Sequence, residues 1–291
     1  MRQWCSAEAT GPVRVDGLPS AERKLIVTHW TMPIAASLIV LLACTAAFFF
    51  AFTRGALLVR AWRPGGMTSA AHVYPIYSNM RLIRLVDFQP IIAAILLFQY
   101  DRLVSMITAG LRRMDLRGKP VLITSCAFGN VMPRVCRAAL RTGASQVQVV
   151  DIIPNELLNA QRKMPDMADA LSFLQQDATA LDLPDGSVQA NVLFFLLHEL
   201  PDHLKHKVLA EACRVLAPGG KLFLAEFHRP RLRVLRALSW MYFKVFEPLG
   251  LALWSTHDPM KQLTAMPGIR AQRRIVFFGN FQVIVATKDP I

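Results

Sequence analysis

The sequence predicts an α/β protein, a doubly wound, mostly parallel sheet preceded by an N-terminal transmembrane helix. Three observations carry that prediction. Residues 33–53 contain no charge, short β-rich runs alternate with amphipathic helical runs from residue 120 onward, and glycine or polar residues recur where those runs end. A hydrophobic share of 53% over 291 residues excludes a disordered chain. The mean hydropathy of +0.33 is high for a soluble domain, and the excess sits in the N-terminal run.

Taken in order, residues 1–32 form an N-terminal tail and residues 33–53 are long enough to cross a bilayer core of about 30 Å as a helix. His29 and Trp30 precede this run and Arg54, Arg60, Trp62 and Arg63 follow it, groups suited to a headgroup region. Arginines without acids between the anchor and Asp87 favour a cytoplasmic C-terminal side. The expected location is the inner (cytoplasmic) membrane, crossed once, with the catalytic domain in the cytoplasm. Residues 54–118 read as a linker and a helical lid, because the apolar run at 90–98 is too short to span and is bracketed by Asp87 and Asp101. Residues 119–288 read as the catalytic domain.

The balance of 33 Lys+Arg against 20 Asp+Glu gives +13, which favours anionic partners. Residues 228–247 are basic first and aromatic after, a pattern that fits membrane lipids; nucleic acid is disfavoured because no RNA- or DNA-binding module accompanies the charge. The five cysteines are scattered without a C-x-x-C pair, which argues against a disulfide framework or a cysteine zinc site.

Within the catalytic domain, chemistry-bearing residues fall at the carboxyl ends of strands, where a doubly wound sheet binds its ligand. The first strand ends in Thr124-Ser125-Cys126-Ala127-Phe128-Gly129-Asn130 and the second in Asp151, placed to accept both hydroxyls of a ribose. The third leads to Gln176-Asp177-Ala178, suited to an adenine edge. The fourth delivers His198 and Glu199 at its tip. A helix, the turn Pro218-Gly219-Gly220 and a fifth strand ending at Glu226-Phe227-His228 follow.

This ordered series resembles the class I S-adenosylmethionine-dependent methyltransferases, a Rossmann-like fold. That resemblance implies cofactor contacts at Ser125, Cys126, Ala127, Phe128, Gly129, Asp151, Ile152, Asp177 and Ala178. The first loop departs from the pattern acid-x-Gly-x-Gly-x-Gly: the corresponding residues are Ile123, Ser125, Ala127 and Gly129. A closer resemblance is to the rhodoquinone biosynthesis methyltransferase-like family. It rests on Cys126-Ala127-Phe128-Gly129-Asn130, on Asp151-Ile-Ile-Pro154-Asn-Glu-Leu157 with Arg162-Lys163, on Phe194-Phe195-Leu-Leu-His198-Glu199-Leu-Pro201 and on Phe227-His228-Arg229-Pro230-Arg231. Further segments are Phe246-Glu247-Pro248 through Trp254, Phe277-Phe278-Gly279-Asn-Phe281-Gln282, and upstream Tyr74-Pro-Ile-Tyr77 and Leu85-Val-Asp87.

What this second resemblance implies is an enzyme that takes S-adenosylmethionine as amino donor and converts ubiquinone to rhodoquinone, with manganese assisting. In ordinary methyltransferases the first-loop acid helps to hold the cofactor's ammonium group. With Ile123 in its place the amine loses an electrostatic reason to stay protonated. His198 and Glu199 are then the expected catalytic pair, and His198, Glu199, Glu226 and His228 the expected metal ligands, nitrogen and oxygen donors that suit manganese. Two other readings remain open: a conventional S-adenosylmethionine-dependent methyltransferase acting on a quinone or lipid, and a non-catalytic membrane scaffold with a degenerate cofactor site.

Overall fold

The computed structural model describes residues 77, 79–245 and 247–290. The membrane helix expected at 33–53 and the tail before it lie outside the described residues. Three helices open the described chain: α1 (Met80–Val86), α2 (Gln89–Ile95) and α3 (Tyr100–Leu111). There follow β1 (Pro120–Thr124), α4 (Val131–Arg141), β2 (Gln146–Asp151), α5 (Pro154–Arg162), β3 (Leu171–Gln175), β4 (Val188–Phe194), α6 (Asp202–Arg214) and β5 (Leu216–Phe227). The C-terminal part is α7 (Arg233–Val245), α8 (Pro259–Thr264), β6 (Ile269–Val276) and β7 (Phe281–Lys288).

The strands form one sheet in the order β3-β2-β1-β4-β5-β7-β6. Pairs among β3, β2, β1, β4 and β5 are parallel, whereas β7 runs antiparallel to both β5 and β6. The order reverses between β1 and β4, so the loops after these two strands diverge and leave a crevice above their carboxyl ends. Because helices cover both faces, the central strands are apolar along their length: Val121, Leu122 and Ile123 of β1 and Val192 and Leu193 of β4 are all buried. The expected Pro218-Gly219-Gly220 turn is absorbed into the start of β5, where the β4–β5 register shifts between Val188 and Ala190 and Gly219 takes φ +74°.

The N-terminal helices are part of this core. Tyr100, Leu103, Val104, Ile107 and Leu111 of α3 pack into the same apolar cluster as β1, α4 and β5. Gly110 permits the approach, since a Cβ there would lie 2.3 Å from the Phe223 ring on β5. Among the described residues no single helix is long and apolar enough to cross a membrane. α2 and α3 reach the necessary length and composition only together, and they meet at 95°. Instead of lying apart, α2 sends Ile92 into the core, with Leu96 just beyond its end, while Phe88 and Phe98 beside it stay exposed.

Tyr100 links this helical layer to the sheet. Its hydroxyl accepts from the Val131 N–H at 2.6 Å and donates to the Phe128 carbonyl at 3.1 Å, joining α3 to the α4 end of the β1–α4 loop. Tyr100→Phe leaves a buried N–H without a partner. We expect a loss of about 1–3 kcal/mol in urea unfolding, and an unchanged midpoint would show that the link contributes nothing.

Candidate active site

The loop after β1 carries the first group of expected cofactor residues. Ser125, at the position where the resembled loops have their first glycine, holds φ +75°, and Gly129 holds φ +79°. The left-handed turn is thus kept without glycine at its start, which is costly for a residue with a Cβ. Side-chain bonds stabilise it. Asp151 at the tip of β2 accepts from the Cys126 N–H at 2.7 Å and the Ser125 hydroxyl at 3.3 Å through one oxygen, and from the Ile153 N–H at 2.8 Å through the other. Burial pushes the Asp151 carboxyl upward in pKa, against the opposing pull of these donors.

The far end of the loop is held by residues the sequence reading did not assign a role. Asp87, just after α1, accepts from the Gly129 N–H at 2.6 Å and from Lys163 Nζ at 2.9 Å, and Lys163 also donates to the Gly129 carbonyl at 3.0 Å. Gln89 accepts from the Asn130 N–H at 3.1 Å. Together with Tyr100 these side chains occupy the amides at the start of α4.

Ser125, Asp151, Ile152, Asp177 and Ala178 line a small, open cleft together with Val150, Leu196, Leu200 and Val208. Its walls are mostly apolar, with a few polar side chains among them. Cys126, Ala127, Phe128 and Gly129 do not line this cleft; they form the loop beside it.

His198 and Glu199 lie in a single 3-10 turn, Leu197–Glu199, directly after β4. The His198 Nδ1 is 3.1 Å from Glu226 Oε1, and its Nε2 is 4.0 Å from Glu199. Burial lowers the imidazole pKa, but the Glu226 carboxylate, joined by Glu247 and Glu199, outweighs it and the ring rises to about 9. Glu226 also accepts from the Leu197, His198 and Phe227 N–H groups, so it fastens the β4 turn to β5. Glu199 accepts from the Tyr77 hydroxyl at 2.9 Å, and the Tyr77 ring stacks on Phe128 at 6.1 Å. Phe195 and Phe227 meet His198 and each other edge-on, and Phe227 in turn packs edge-on against Phe243 and tilted against Phe281, making an aromatic wall.

The expected four-residue metal set is not assembled. His228 turns away to the Gly279 carbonyl, 2.8 Å from its Nδ1, and Glu226 spends its oxygens on three amides and one imidazole. Among the described residues no group of three or more His, Cys, Asp or Glu is placed to hold a metal ion. The residues present do not fit manganese.

Sequence reasoning also missed Glu156, the third residue of α5. It is 3% exposed, and burial, reinforced by Asp151, pushes its carboxyl up to about 8. An acid in the first turn of a helix ordinarily reads as a complement to the helix dipole, so nothing in the sequence singled it out.

A family model described as the ubiE/COQ5 methyltransferase family matches residues 90–263, more than half of the chain. The chain is 28% identical over 178 residues to the ubiquinone/menaquinone biosynthesis C-methyltransferase UbiE of Shewanella pealeana, covering 57% of this chain and 69% of that one. It is 35% identical over 104 residues to the demethylmenaquinone methyltransferase of Thermus thermophilus, covering 36% and 46%. Among solved structures, an O-methyltransferase family protein from Burkholderia thailandensis superimposes with a TM-score of 0.61 at 15% identity, over 83% of this chain and 70% of that one. The YcgJ protein of Bacillus subtilis gives 0.53 at 13%, over 66% and 100%. At such identities these likenesses establish the fold, the class I methyltransferase Rossmann-like α/β fold.

The His198–Glu226 pair makes stability depend on pH. A histidine whose folded pKa lies near 9 contributes stability that is complete below its unfolded value of 6.5 and is lost as pH rises through 9. Glu156 and Glu199, both raised by burial, act in the same direction from about 4.5 upward. Urea unfolding should therefore show stability falling between pH 6.5 and 9. His198→Gln should remove part of that fall, at most about 3 kcal/mol; an equal slope in the variant would refute the pairing.

Proposed function

This chain belongs to the ubiE/COQ5 methyltransferase family, an S-adenosylmethionine-dependent enzyme family, and we propose that it converts a membrane-borne quinone, ubiquinone, to rhodoquinone by amino transfer from that cofactor. The observation that carries this reading is the end of β1, where buried Ile123 stands in place of the acid that ordinarily fixes the cofactor's ammonium group, at 1% exposure within the core. The resemblance of the segments around Phe128, His198 and Phe227 to the rhodoquinone biosynthesis methyltransferase-like family supports it. The cleft lined by Asp151 and Asp177 takes the adenosine, and Ser125 to Gly129 face its methionine end. The aromatic wall around Phe195 and Phe227 offers flat apolar surface to a quinone ring. His198 and Glu199, at the mouth of β4, are the groups placed to exchange protons with it.

A second reading, methyl transfer to a quinone carbon, is favoured by the named activities of the Shewanella and Thermus relatives. Product analysis separates the two. Full-length protein in vesicles is supplied with ubiquinone and, in a parallel arm, with a demethylmenaquinone, whose ring keeps a free C–H; the cofactor is labelled with heavy nitrogen at the α-amino group, and the quinones are examined by mass spectrometry. Label in the quinone supports amino transfer. A methylated quinone with S-adenosylhomocysteine overturns it in favour of the second reading, and an unchanged quinone pool overturns both.

We further propose that the domain works at the cytoplasmic face of a membrane, anchored through residues 33–53. The outer face of α7 supports this: Val234, Leu238 and Met241, at helical spacing, are exposed at 75%, 55% and 55%, and Trp240 beside them at 50%. Arg233 and Arg236 lie on the same helix, which has no acid, so it is suited to anionic headgroups. In anionic vesicles with brominated acyl chains, we expect Trp240→Phe to remove a measurable part of the tryptophan quenching. Identical quenching in parent and variant would contradict the docking of α7.

A further inference from the structure

The carboxylate missing from β1 has a counterpart on another element. Around the β1–α4 loop stand Asp87, Asp151, Glu156 and Glu199, and three of them are engaged. Asp87 accepts from Gly129 and Lys163, Asp151 from Cys126, Ser125 and Ile153, and Glu199 from Tyr77. Glu156 differs. It is buried, and its Oε1 has no hydrogen-bond partner. Lys163, the cation whose charge acts on it, is already committed to Asp87 and the Gly129 carbonyl. A buried oxygen left without a donor is costly, on the order of 1–3 kcal/mol. The cost is offset if a ligand brings the donor.

The charge of the surroundings says what that ligand should carry. The charges of Asp151, Asp87 and Glu199 act on Glu156, and that of Glu156 acts on Cys126 of the loop and on Tyr77, so its carboxyl belongs to the same cluster of groups. An anion would meet four carboxyl groups there, whereas a cation with N–H donors satisfies the orphaned oxygen and relieves the mutual repulsion.

We propose that Glu156 is the docking point for the α-ammonium group of S-adenosylmethionine, supplying from α5 the acid that β1 lacks. This inference rests on the cofactor reading alone and holds whichever product is formed.

Isothermal titration of the full chain with two ligands tests it. S-adenosylhomocysteine carries the α-ammonium, and 5′-methylthioadenosine keeps the adenosine and thioether but lacks the amino-acid part. Glu156→Gln should weaken S-adenosylhomocysteine binding about tenfold or more and leave 5′-methylthioadenosine binding unchanged. Equal weakening of both ligands, or of neither, would overturn the proposal. A measurement on the parent protein needs no variant: an S-adenosylhomocysteine analogue with hydrogen in place of the α-amino group should bind about tenfold more weakly than S-adenosylhomocysteine, and equal affinity would overturn the assignment. A parent protein that binds neither S-adenosylhomocysteine nor 5′-methylthioadenosine would defeat the cofactor reading itself, and this inference with it.

Discussion

The loop between β1 and α4 is held by side chains from elsewhere in the chain, and the rest of the site depends on that. In a glycine-rich loop the backbone adopts left-handed turns at little cost and leaves its amides open to the ligand. Here Ser125 takes the left-handed conformation with a Cβ attached, and the Asp151 carboxylate binds the next amide and the serine hydroxyl to keep it there. At the other end Asp87, Gln89 and Tyr100 fix Gly129, Asn130 and Val131. The helices before the sheet are therefore a condition for the shape of the site. Residues 42, 41 and 31 positions apart in sequence must meet before the loop has its final form.

That arrangement has an electrostatic consequence. Each carboxylate recruited to hold the backbone also adds negative charge close to the others, and burial prevents water from screening it. Burial first, and Asp151 beside it, push the Glu156 carboxyl up to about 8. A carboxyl of that acidity differs in kind from an aspartate at a strand end: it attracts an ammonium, yet it can also take up a proton close to neutrality. His198 balances part of the charge on the opposite side, where Glu226 keeps it protonated to about pH 9.

Much of the architecture was legible in the sequence because it is written in local patterns. Alternation of apolar runs and amphipathic helices marked β1 to β5, and Asp151, Asp177 and His198 all lie just at or beyond strand ends, as the doubly wound arrangement requires. Of the nine residues expected at the cofactor, Ser125, Asp151, Ile152, Asp177 and Ala178 line the cleft and four form the adjacent loop. The failures share a cause. Glu226 and His228 are two residues apart and looked like one cluster, but alternation along a strand does not bring both to one ligand once the strand ends: Glu226 is drawn to the β4 turn and His228 to the segment before β7. Asp87 and Glu156 were passed over because their significance lies in what they meet across the fold, which no spacing along the chain records.

The closed start of α4 also determines which adenosine compounds are turned away. A helix N-terminus with open amides is a ready receptor for phosphate, and nucleoside triphosphates share their adenosine with the cofactor. With the Gly129, Asn130 and Val131 amides already donated to Asp87, Gln89 and Tyr100, a polyphosphate finds these three donors taken and the Asp87 carboxylate beside them. Discrimination against the cell's phosphorylated nucleotides is thereby built into the scaffold as rejection of the competitor, independent of how tightly the proper cofactor is gripped.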